Sequence, residues 1–205
     1  MLRAMGSRTR HPALERNLVL IGGRGCGKSS IAKRLARTNR HFMLLSLDAL
    51  IRYEAGGRTI ERIVAREGWS GFRARELEVV RKVARFRGGA LVDTGGGVVA
   101  ELDAKGRERY SRAKVDALRR HGWVVYLRRD IDYLARRSEG DAARPALSQH
   151  ESFREILERR DPWYRRAADF VLDCGERDKV DLASRILQRF YAAQSPAQAR
   201  VRKAR

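Results

Sequence analysis

Strand-sized apolar runs alternate with longer segments of helical periodicity along most of the chain. The first run covers residues 17–22, a glycine-rich turn follows it, and a helical pattern then extends to about residue 38. Further runs, separated by helical patterns, cover residues 41–47, 90–93, 123–127 and 170–173. Because these runs are apolar throughout instead of alternating, they predict strands of a parallel sheet that helices cover on both faces.

The pattern predicts a single α/β domain over residues 17–194, with a five-stranded parallel sheet. A chain of 205 residues is long enough for one such domain with a sizeable core. Residues 1–16 and 195–205 are basic and show no periodicity, which predicts a flexible arm and a disordered tail. The arm is also rich enough in arginine to serve as a short organelle targeting segment, and that alternative stays open.

Basic residues exceed acidic ones by a wide margin. The chain has 45 Lys and Arg residues against 25 Asp and Glu residues, a net charge of +20. Such a balance is typical of proteins that bind nucleic acids or smaller anions. The sequence has neither the aromatic residues interleaved with basic ones nor the zinc-ligand spacing that would favour nucleic acids. We therefore expect a pocket for anionic ligands and no specific nucleic-acid partner.

No segment is typical of membrane insertion or secretion. The longest apolar runs are strand-sized, whereas a membrane-spanning helix needs roughly 18–20 apolar residues. The N-terminus has no apolar signal segment. Cys26 and Cys174 are too few for a disulfide framework or a metal site. We expect a monomeric protein of the cytoplasm with no membrane partner.

The turn after the first run carries a phosphate-binding motif, Gly22-x-x-x-x-Gly27-Lys28-Ser29, between a strand and a helix. Glycines let the backbone N–H groups wrap a phosphate chain, and the helix N-terminus adds partial positive charge. Lys28 is expected to contact the β and γ phosphates of ATP or GTP, and Ser29 to bind Mg²⁺. The predicted nucleotide-binding residues of this loop are Gly23, Gly25, Cys26, Gly27, Lys28, Ser29 and Ser30.

Further motifs follow the phosphate loop in a fixed order. They are Leu47-Asp48-x-x-Ile51, Phe72-Arg73-x-x-Glu76, Thr94-Gly95-Gly96-Gly97, Arg137 with Arg144-Pro145-x-Leu147, and Arg160-x-Pro162-Trp163-Tyr164. In this order and spacing, over residues 18–189, the chain resembles the shikimate kinase family. The resemblance implies an enzyme of aromatic amino-acid biosynthesis that transfers the γ-phosphoryl group of ATP to the 3-hydroxyl group of shikimate, with Mg²⁺.

The resemblance also assigns residues to the substrate. Arg73 and Arg160 would clamp its carboxylate, for which forked guanidinium groups are well suited. Asp48 would orient the hydroxyl group or accept its proton. Three glycines after the third strand would allow close backbone approach, and Gly96 would offer its N–H group. The implied substrate-binding residues are Asp48, Arg73, Gly95, Gly96, Gly97 and Arg160.

By the same resemblance, residues 138–150 form a mobile lid. Their low apolar content is typical of a segment that packs weakly. Arg144 lies in this segment, and closure would bring its charge to the transferred phosphoryl group. Arg137 and Arg177 would contact the adenine. The implied catalytic residues are Lys28, Asp48 and Arg144.

The chain departs from the family at two places. Family members usually have an acid where this chain has Ser46, two residues before Asp48. We therefore predict that Asp93, which ends the third strand, joins Ser29 in the Mg²⁺ site, although it could instead cap the following turn. Residues 101–111 form a longer segment than usual and could be a surface loop or a partner site.

Two other functions stay open. One is a phosphate-loop kinase for a different small acid or polyol, such as gluconate. The other is a non-catalytic ligand-sensing domain of the kind fused to DNA-binding modules. The arginine pair and the glycine turn favour shikimate as the substrate, and the 16 residues before the domain are too few for a helix-turn-helix.

Overall fold

A central parallel sheet organises the residues that the computed structural model describes, which are 14–139, 151–175 and 178–194. The strands are β1 (Asn17–Ile21), β2 (Met43–Ser46), β3 (Ala90–Asp93), β4 (Ala100–Leu102), β5 (Glu108–Tyr110), β6 (Gly122–Arg128) and β7 (Phe170–Asp173). The helices are α1 (Lys28–Thr38), α2 (Leu47–Glu54), α3 (Ile60–Val83), α4 (Arg112–His121), α5 (Ile131–Glu139), α6 (Phe153–Ala167) and α7 (Lys179–Gln194).

The main sheet has five strands in the order β2-β3-β1-β6-β7, and all neighbours are parallel. This confirms the predicted α/β fold and its five-stranded parallel sheet. In the register, Asp93 of β3 lies beside Leu20 of β1 on one side and Ser46 of β2 on the other. The segments that leave these three strands therefore meet at one edge of the sheet, where ligands bind in folds of this kind.

Alternate residues of β1 face opposite sides of the sheet, and each side has its own apolar core. Val19 and Ile21 belong to a cluster with buried residues of α3 and α4. Leu18 and Leu20 belong to a second cluster with buried residues of α1 and α7. The sheet is thus covered by helices on both faces, and the strands show no polar face because neither side meets water.

The region around Asp48 differs from the prediction of a strand over residues 41–47. The strand β2 ends at Ser46, and α2 begins at Leu47. Ser46 is the N-cap of α2, and its hydroxyl group accepts a hydrogen bond from the Ala49 N–H at 3.4 Å. A serine N-cap offers the first turn of a helix a partner that an apolar residue cannot. Asp48 consequently lies in the first turn of a helix and not at the end of a strand.

The longer segment 101–111 belongs to an antiparallel hairpin of β4 and β5, not to an irregular loop. Asp103 closes its turn, because its Oδ1 accepts hydrogen bonds from the backbone N–H groups of Lys105 and Arg107, both at 2.9 Å. Strands of three residues leave little periodicity to detect in a sequence.

Several predicted features lie outside the described residues. They are residues 1–13 of the arm, 140–150 of the lid, with Arg144, the tail 195–205, and Arg177. Among the described residues, no helix combines the length and the apolar character required to cross a bilayer.

A buried ion pair joins α3, α4 and the hairpin. The Nζ atom of Lys114 lies 2.6 Å from Oε2 of Glu76, and both side chains are only 1% exposed. Lys114 also donates a hydrogen bond to the carbonyl oxygen of Ala100 in β4. Burial raises the pKa of Glu76, but the charges and hydrogen bonds of Arg73 and Lys114 outweigh this effect and bring it to about 2. Glu76 therefore stays ionised inside the fold.

Acid should weaken the fold through this group. Because the pKa of Glu76 falls from 4.5 to about 2 on folding, its stabilising contribution is complete above pH 4.5 and is lost as the pH falls towards 2. The contribution to the free energy of unfolding is on the order of 3 kcal/mol. Urea denaturation at neutral pH and at about pH 3 should show a smaller loss for Glu76→Gln than for the wild type.

Glu67→Gln is the matched control, because Glu67 lies in the same element, across a kink at Gly68, and pairs with Arg75 near the surface. This variant should follow the wild type closely. An equal loss of stability on acidification in Glu76→Gln and in the wild type would contradict the assignment.

Candidate active site

A cleft of about 1060 Å³ opens at the edge of the sheet where β1, β2 and β3 end. The phosphate loop forms one side of it, and α2 and α3 form another. The glycine turn after β3 and side chains of α5 and α6 complete the lining. The cleft therefore gathers residues from six separate parts of the chain.

The phosphate loop owes its shape to glycines with positive φ. Gly25 has a φ of 82° and Gly27 a φ of 100°, which residues with side chains rarely adopt. Lys28, the first residue of α1, folds back over the loop. Its Nζ donates hydrogen bonds to the carbonyl oxygens of Gly22 at 2.7 Å and Gly23 at 2.9 Å. The loop thus presents its backbone and one ammonium group to the same side.

Cys26 lies behind the loop and not in the cleft. Its side chain is 1% exposed, and its sulfur accepts a hydrogen bond from Lys28 Nζ at 3.6 Å. A thiol with so little exposure has poor access to oxidants, which favours the interpretation of Cys26 as a packing residue. The other loop residues predicted to bind the nucleotide, except Gly23, line the cleft.

Asp93 and Ser29 meet beside the phosphate loop. Burial raises the pKa of Asp93, while a hydrogen bond from Ser29 and the charge of Lys28 oppose this effect. Among the described residues, none bonds to Oδ1 of Asp93, although this oxygen is buried. A carboxylate oxygen and a hydroxyl oxygen beside a phosphate site are the donors that Mg²⁺ prefers, so these residues fit a magnesium ion.

The glycine turn is confined between two other parts of the site. A Cβ atom on Gly95 would lie 2.9 Å from Oδ1 of Asp48. A Cβ atom on Gly96 would lie 2.9 Å from the backbone nitrogen of Arg24 in the phosphate loop. Any side chain at these positions would push the turn away from both neighbours. The turn therefore brings backbone groups between the phosphate loop and Asp48.

Arg73 of α3 and Arg160 of α6 both line the cleft, and they are 7% and 2% exposed. Arg73 donates a hydrogen bond from Nη1 to Oε2 of Glu76 at 2.8 Å, and its guanidinium group lies directly against Gly97. Arg160 donates from Nη1 to the carbonyl oxygen of Gly96 at 3.3 Å. The two arginines thus hold fixed positions on the same side of the cleft.

Both arginines lie close to a further acid, Glu108, for which the sequence motifs predict no role. Glu108 of β5 accepts a hydrogen bond on Oε2 from Nε of Arg160 at 2.9 Å, and one on Oε1 from Nη2 of the same residue. Oε1 also lies 3.9 Å from Nη2 of Arg73. Lys114, which binds Glu76, was missed too. The sequence motifs predict no role for Glu108 or Lys114. The segment 101–111 and the helix after it are rich in charged residues, and this is the signal that the sequence offers for them.

Arg137 of α5 lies beside the phosphate loop. A Cβ atom on Gly25 would be 3.5 Å from Cδ of Arg137, and the Arg137 guanidinium group donates to the hydroxyl oxygen of Tyr133 at 3.3 Å. Its exposed position at the loop is compatible with an aromatic ligand above the guanidinium plane.

The chain has relatives over most of its length. A family model for shikimate kinase matches residues 24–191. The shikimate kinase of Leptospira biflexa serovar Patoc is 39% identical over 171 residues, which are 83% of this chain and 93% of that protein. Shikimate kinase 2 of Sodalis glossinidius is 38% identical over 184 residues, covering 87% of this chain and 97% of that protein.

Solved structures agree with the sequence relatives. The shikimate kinase of Acinetobacter baumannii, in complex with shikimate, superposes with a TM-score of 0.73 and is 30% identical. The match covers 87% of this chain and 94% of that one. Together with the order of the motifs and the geometry of the cleft, these findings show that the chain belongs to the shikimate kinase family.

Proposed function

We propose that the cleft binds ATP and shikimate side by side and transfers the γ-phosphoryl group of ATP to the 3-hydroxyl group of shikimate. The observation that carries this proposal is that the phosphate loop and a pair of buried arginines face one cleft, with Asp48 among its lining. A phosphate chain and a small carboxylic acid are the two ligands that such an arrangement recognises. Membership of the shikimate kinase family supports the same assignment.

The phosphate loop would hold the triphosphate. Its backbone N–H groups and the N-terminus of α1 surround an anion with partial positive charge. Lys28 would exchange its hydrogen bonds with the Gly22 and Gly23 carbonyl oxygens for bonds with phosphate oxygens. Arg137 is placed for the adenine side, and Arg177 is proposed for the same side from the family motif alone.

Arg73 and Arg160 would bind the carboxylate of shikimate. Their guanidinium groups come from different helices, and both are almost fully buried, which strengthens a charge-assisted bond by excluding water. Gly97 leaves room for Arg73, because a Cβ atom there would lie 2.1 Å from Nη2 of Arg73. The N–H of Gly96 is proposed as a further donor to the substrate.

Asp48 would act on the substrate hydroxyl group. With the carboxylate held by the arginines, the ring of shikimate extends toward the phosphate loop, and Asp48 borders this path beside Gly95. A carboxylate there can accept a hydrogen bond from the hydroxyl group and take its proton as the new O–P bond forms, while the bond between the γ phosphorus and the bridging oxygen breaks and ADP leaves. Arg144, outside the described residues, is proposed to stabilise the charge of the transferred group.

Shikimate kinases use ATP with Mg²⁺, and we propose that Ser29 and Asp93 hold the ion in this chain. The ion would neutralise charge on the β and γ phosphates. Asp93 stands next to Ser46 in the sheet register, so its carboxylate can replace the acid that the family usually has at that position. The monomeric state and the cytoplasmic location expected from the sequence stay predictions.

Shikimate should increase the rate at which ADP forms from ATP, because it accepts the phosphoryl group, and gluconate should not. The arginine pair is specific for a carboxylate held at a fixed distance from the reacting hydroxyl group, and an open-chain acid does not preserve this distance. A coupled assay for ADP with shikimate, gluconate or no acceptor measures the difference. Turnover with gluconate but not with shikimate would show that the substrate assignment is wrong.

Asp48→Asn and Lys28→Ala should both abolish most activity, but for different reasons. Asp48→Asn removes the proton acceptor, so kcat should fall by a factor on the order of 10²–10⁴ while ATP binding is retained. Lys28→Ala removes a phosphate contact, so ATP binding should weaken as well. Steady-state kinetics together with calorimetric titration of ATP separates the two effects. A kcat near the wild-type value in Asp48→Asn would exclude Asp48 from the chemical step.

Asp93→Asn should raise the Mg²⁺ concentration required for half-maximal rate, because the buried site loses a charged oxygen. The same variant should reduce the gain in ATP affinity that Mg²⁺ produces in a binding titration. The double variant Asp93→Asn with Ser46→Asp should partly restore both quantities, since the two positions are neighbours in the register. Unchanged Mg²⁺ dependence in Asp93→Asn would leave Asp93 with only a structural role at the turn.

A further inference from the structure

Five charged side chains form a buried cluster behind the arginine pair. Three are cations, namely Arg73, Lys114 and Arg160, and two are carboxylates, namely Glu76 and Glu108. Glu76 bonds to Arg73 and Lys114, and Glu108 bonds to Arg160. The half-buried Arg159 also bonds to Glu108, at 3.2 Å, and its own charge is paired with Glu151. Within these five groups one positive charge is left over, which matches the single negative charge of one carboxylate ligand.

Glu108 controls which part of Arg160 is available to a ligand. A guanidinium group has five N–H donors. Glu108 takes the donor on Nε and one on Nη2, and the carbonyl oxygen of Gly96 takes one on Nη1. The hydroxyl group of Tyr164 also bonds with this guanidinium group. Glu108 therefore occupies the Nε side of Arg160, and a ligand carboxylate is left with its terminal nitrogens.

Glu108 acts from outside the cleft. Arg73 and Arg160 line the cleft, whereas Glu108 is not among its lining residues and is 13% exposed. Oε1 of Glu108 bonds to Nη2 of Arg160 and lies 3.9 Å from Nη2 of Arg73, so this negative charge sits between the two guanidinium groups. Burial raises the pKa of Glu108, but its bonds and its attraction to Arg160 and Arg73 outweigh this effect, so Glu108 stays ionised.

We propose that Glu108 is a positioning residue that determines the specificity of the site for a carboxylate. It holds Arg160 against the glycine turn with the guanidinium group toward the cleft, and it offsets the repulsion between Arg160 and Arg73. This role rests on the proposed function, because it concerns how the substrate carboxylate is recognised. The hairpin of β4 and β5, longer than usual in the family, is thereby part of the substrate site.

Without the charge of Glu108, two buried cations face each other with no shared anion, and Arg160 turns away from its productive position. The affinity for shikimate falls as a result. A charge-assisted hydrogen bond to a carboxylate contributes enough binding free energy that its misalignment should raise the KM for shikimate about tenfold. The KM for ATP and the chemical step depend on other residues, so the KM for ATP and kcat change little.

The test compares Glu108→Gln with the wild type on two acceptors, shikimate and its neutral methyl ester. In the wild type, kcat/KM favours the acid over the ester. In Glu108→Gln this preference should fall about tenfold, because only the acid makes a charge-assisted contact with Arg160. The matched control is Glu101→Gln, since Glu101 lies in the same hairpin and binds Arg109 and Ser111 outside the cleft. Glu101→Gln should keep the wild-type preference.

A lower KM for shikimate in Glu108→Gln would overturn the proposal, since it would show that Glu108 competes with the substrate carboxylate. An unchanged preference for the acid would overturn it as well and leave Glu108 with a role in folding alone. If circular dichroism shows that Glu108→Gln is unfolded, Glu108→Asp decides the question. This variant keeps the charge but not the reach, so the preference for the acid should fall by a smaller factor, and an unchanged preference would refute the role.

Failure of the proposed function is distinguishable from failure of this inference. If the wild type phosphorylates neither acceptor, the substrate assignment is wrong. If the wild type phosphorylates shikimate, and Glu108→Gln and Glu108→Asp keep the wild-type preference for the acid, only the role of Glu108 is wrong.

Discussion

The side of the cleft with the two arginines, where we propose that shikimate binds, depends on one buried carboxylate, Glu76. A fully buried charge is tolerated only where it is paired and hydrogen-bonded, and Glu76 has both an arginine and a lysine as partners. The bond with Arg73 sets the direction of that guanidinium group, and the bond with Lys114 attaches α4 and, through Ala100, the hairpin. The position of Glu108 against Arg160 therefore follows from the same network, because the hairpin carries Glu108.

The two sides of the cleft are built by different physical means. The nucleotide side is a loop whose shape comes from glycine backbone conformations and whose charge comes from N–H groups and one lysine. The arginine side depends on long charged side chains from α3, α4, α6 and the hairpin, in the cleft and behind it, which ion pairs hold together. The first arrangement is local in sequence. The second exists only when four separate elements are packed together, so its precision depends on the stability of the whole domain.

The end of β2 has a folding role at position 46 and a carboxylate beside it, at the position where we propose the Mg²⁺ site. Ser46 caps α2, which starts the helix one residue before Asp48 and brings that carboxylate to the cleft. An acid at position 46 would also serve as an N-cap, so α2 can begin at the same place with either an acid or Ser46 there. Asp93, next to it in the register, supplies a buried carboxylate at the same edge of the sheet.

The sequence by itself determined the parallel sheet, the phosphate loop and the family, because each is encoded in contiguous residues: apolar runs for buried strands, and glycines before Lys28 for the loop. It also indicated Asp48, Arg73 and Arg160 through short motifs. Only the tertiary structure showed the contacts of Glu108 and Lys114. Glu108 and Lys114 contact residues that lie 52 and 38 positions away in the chain, and no local sequence pattern records such contacts. For the same reason, the sequence does not indicate that a hairpin of two three-residue strands packs a carboxylate against Arg160.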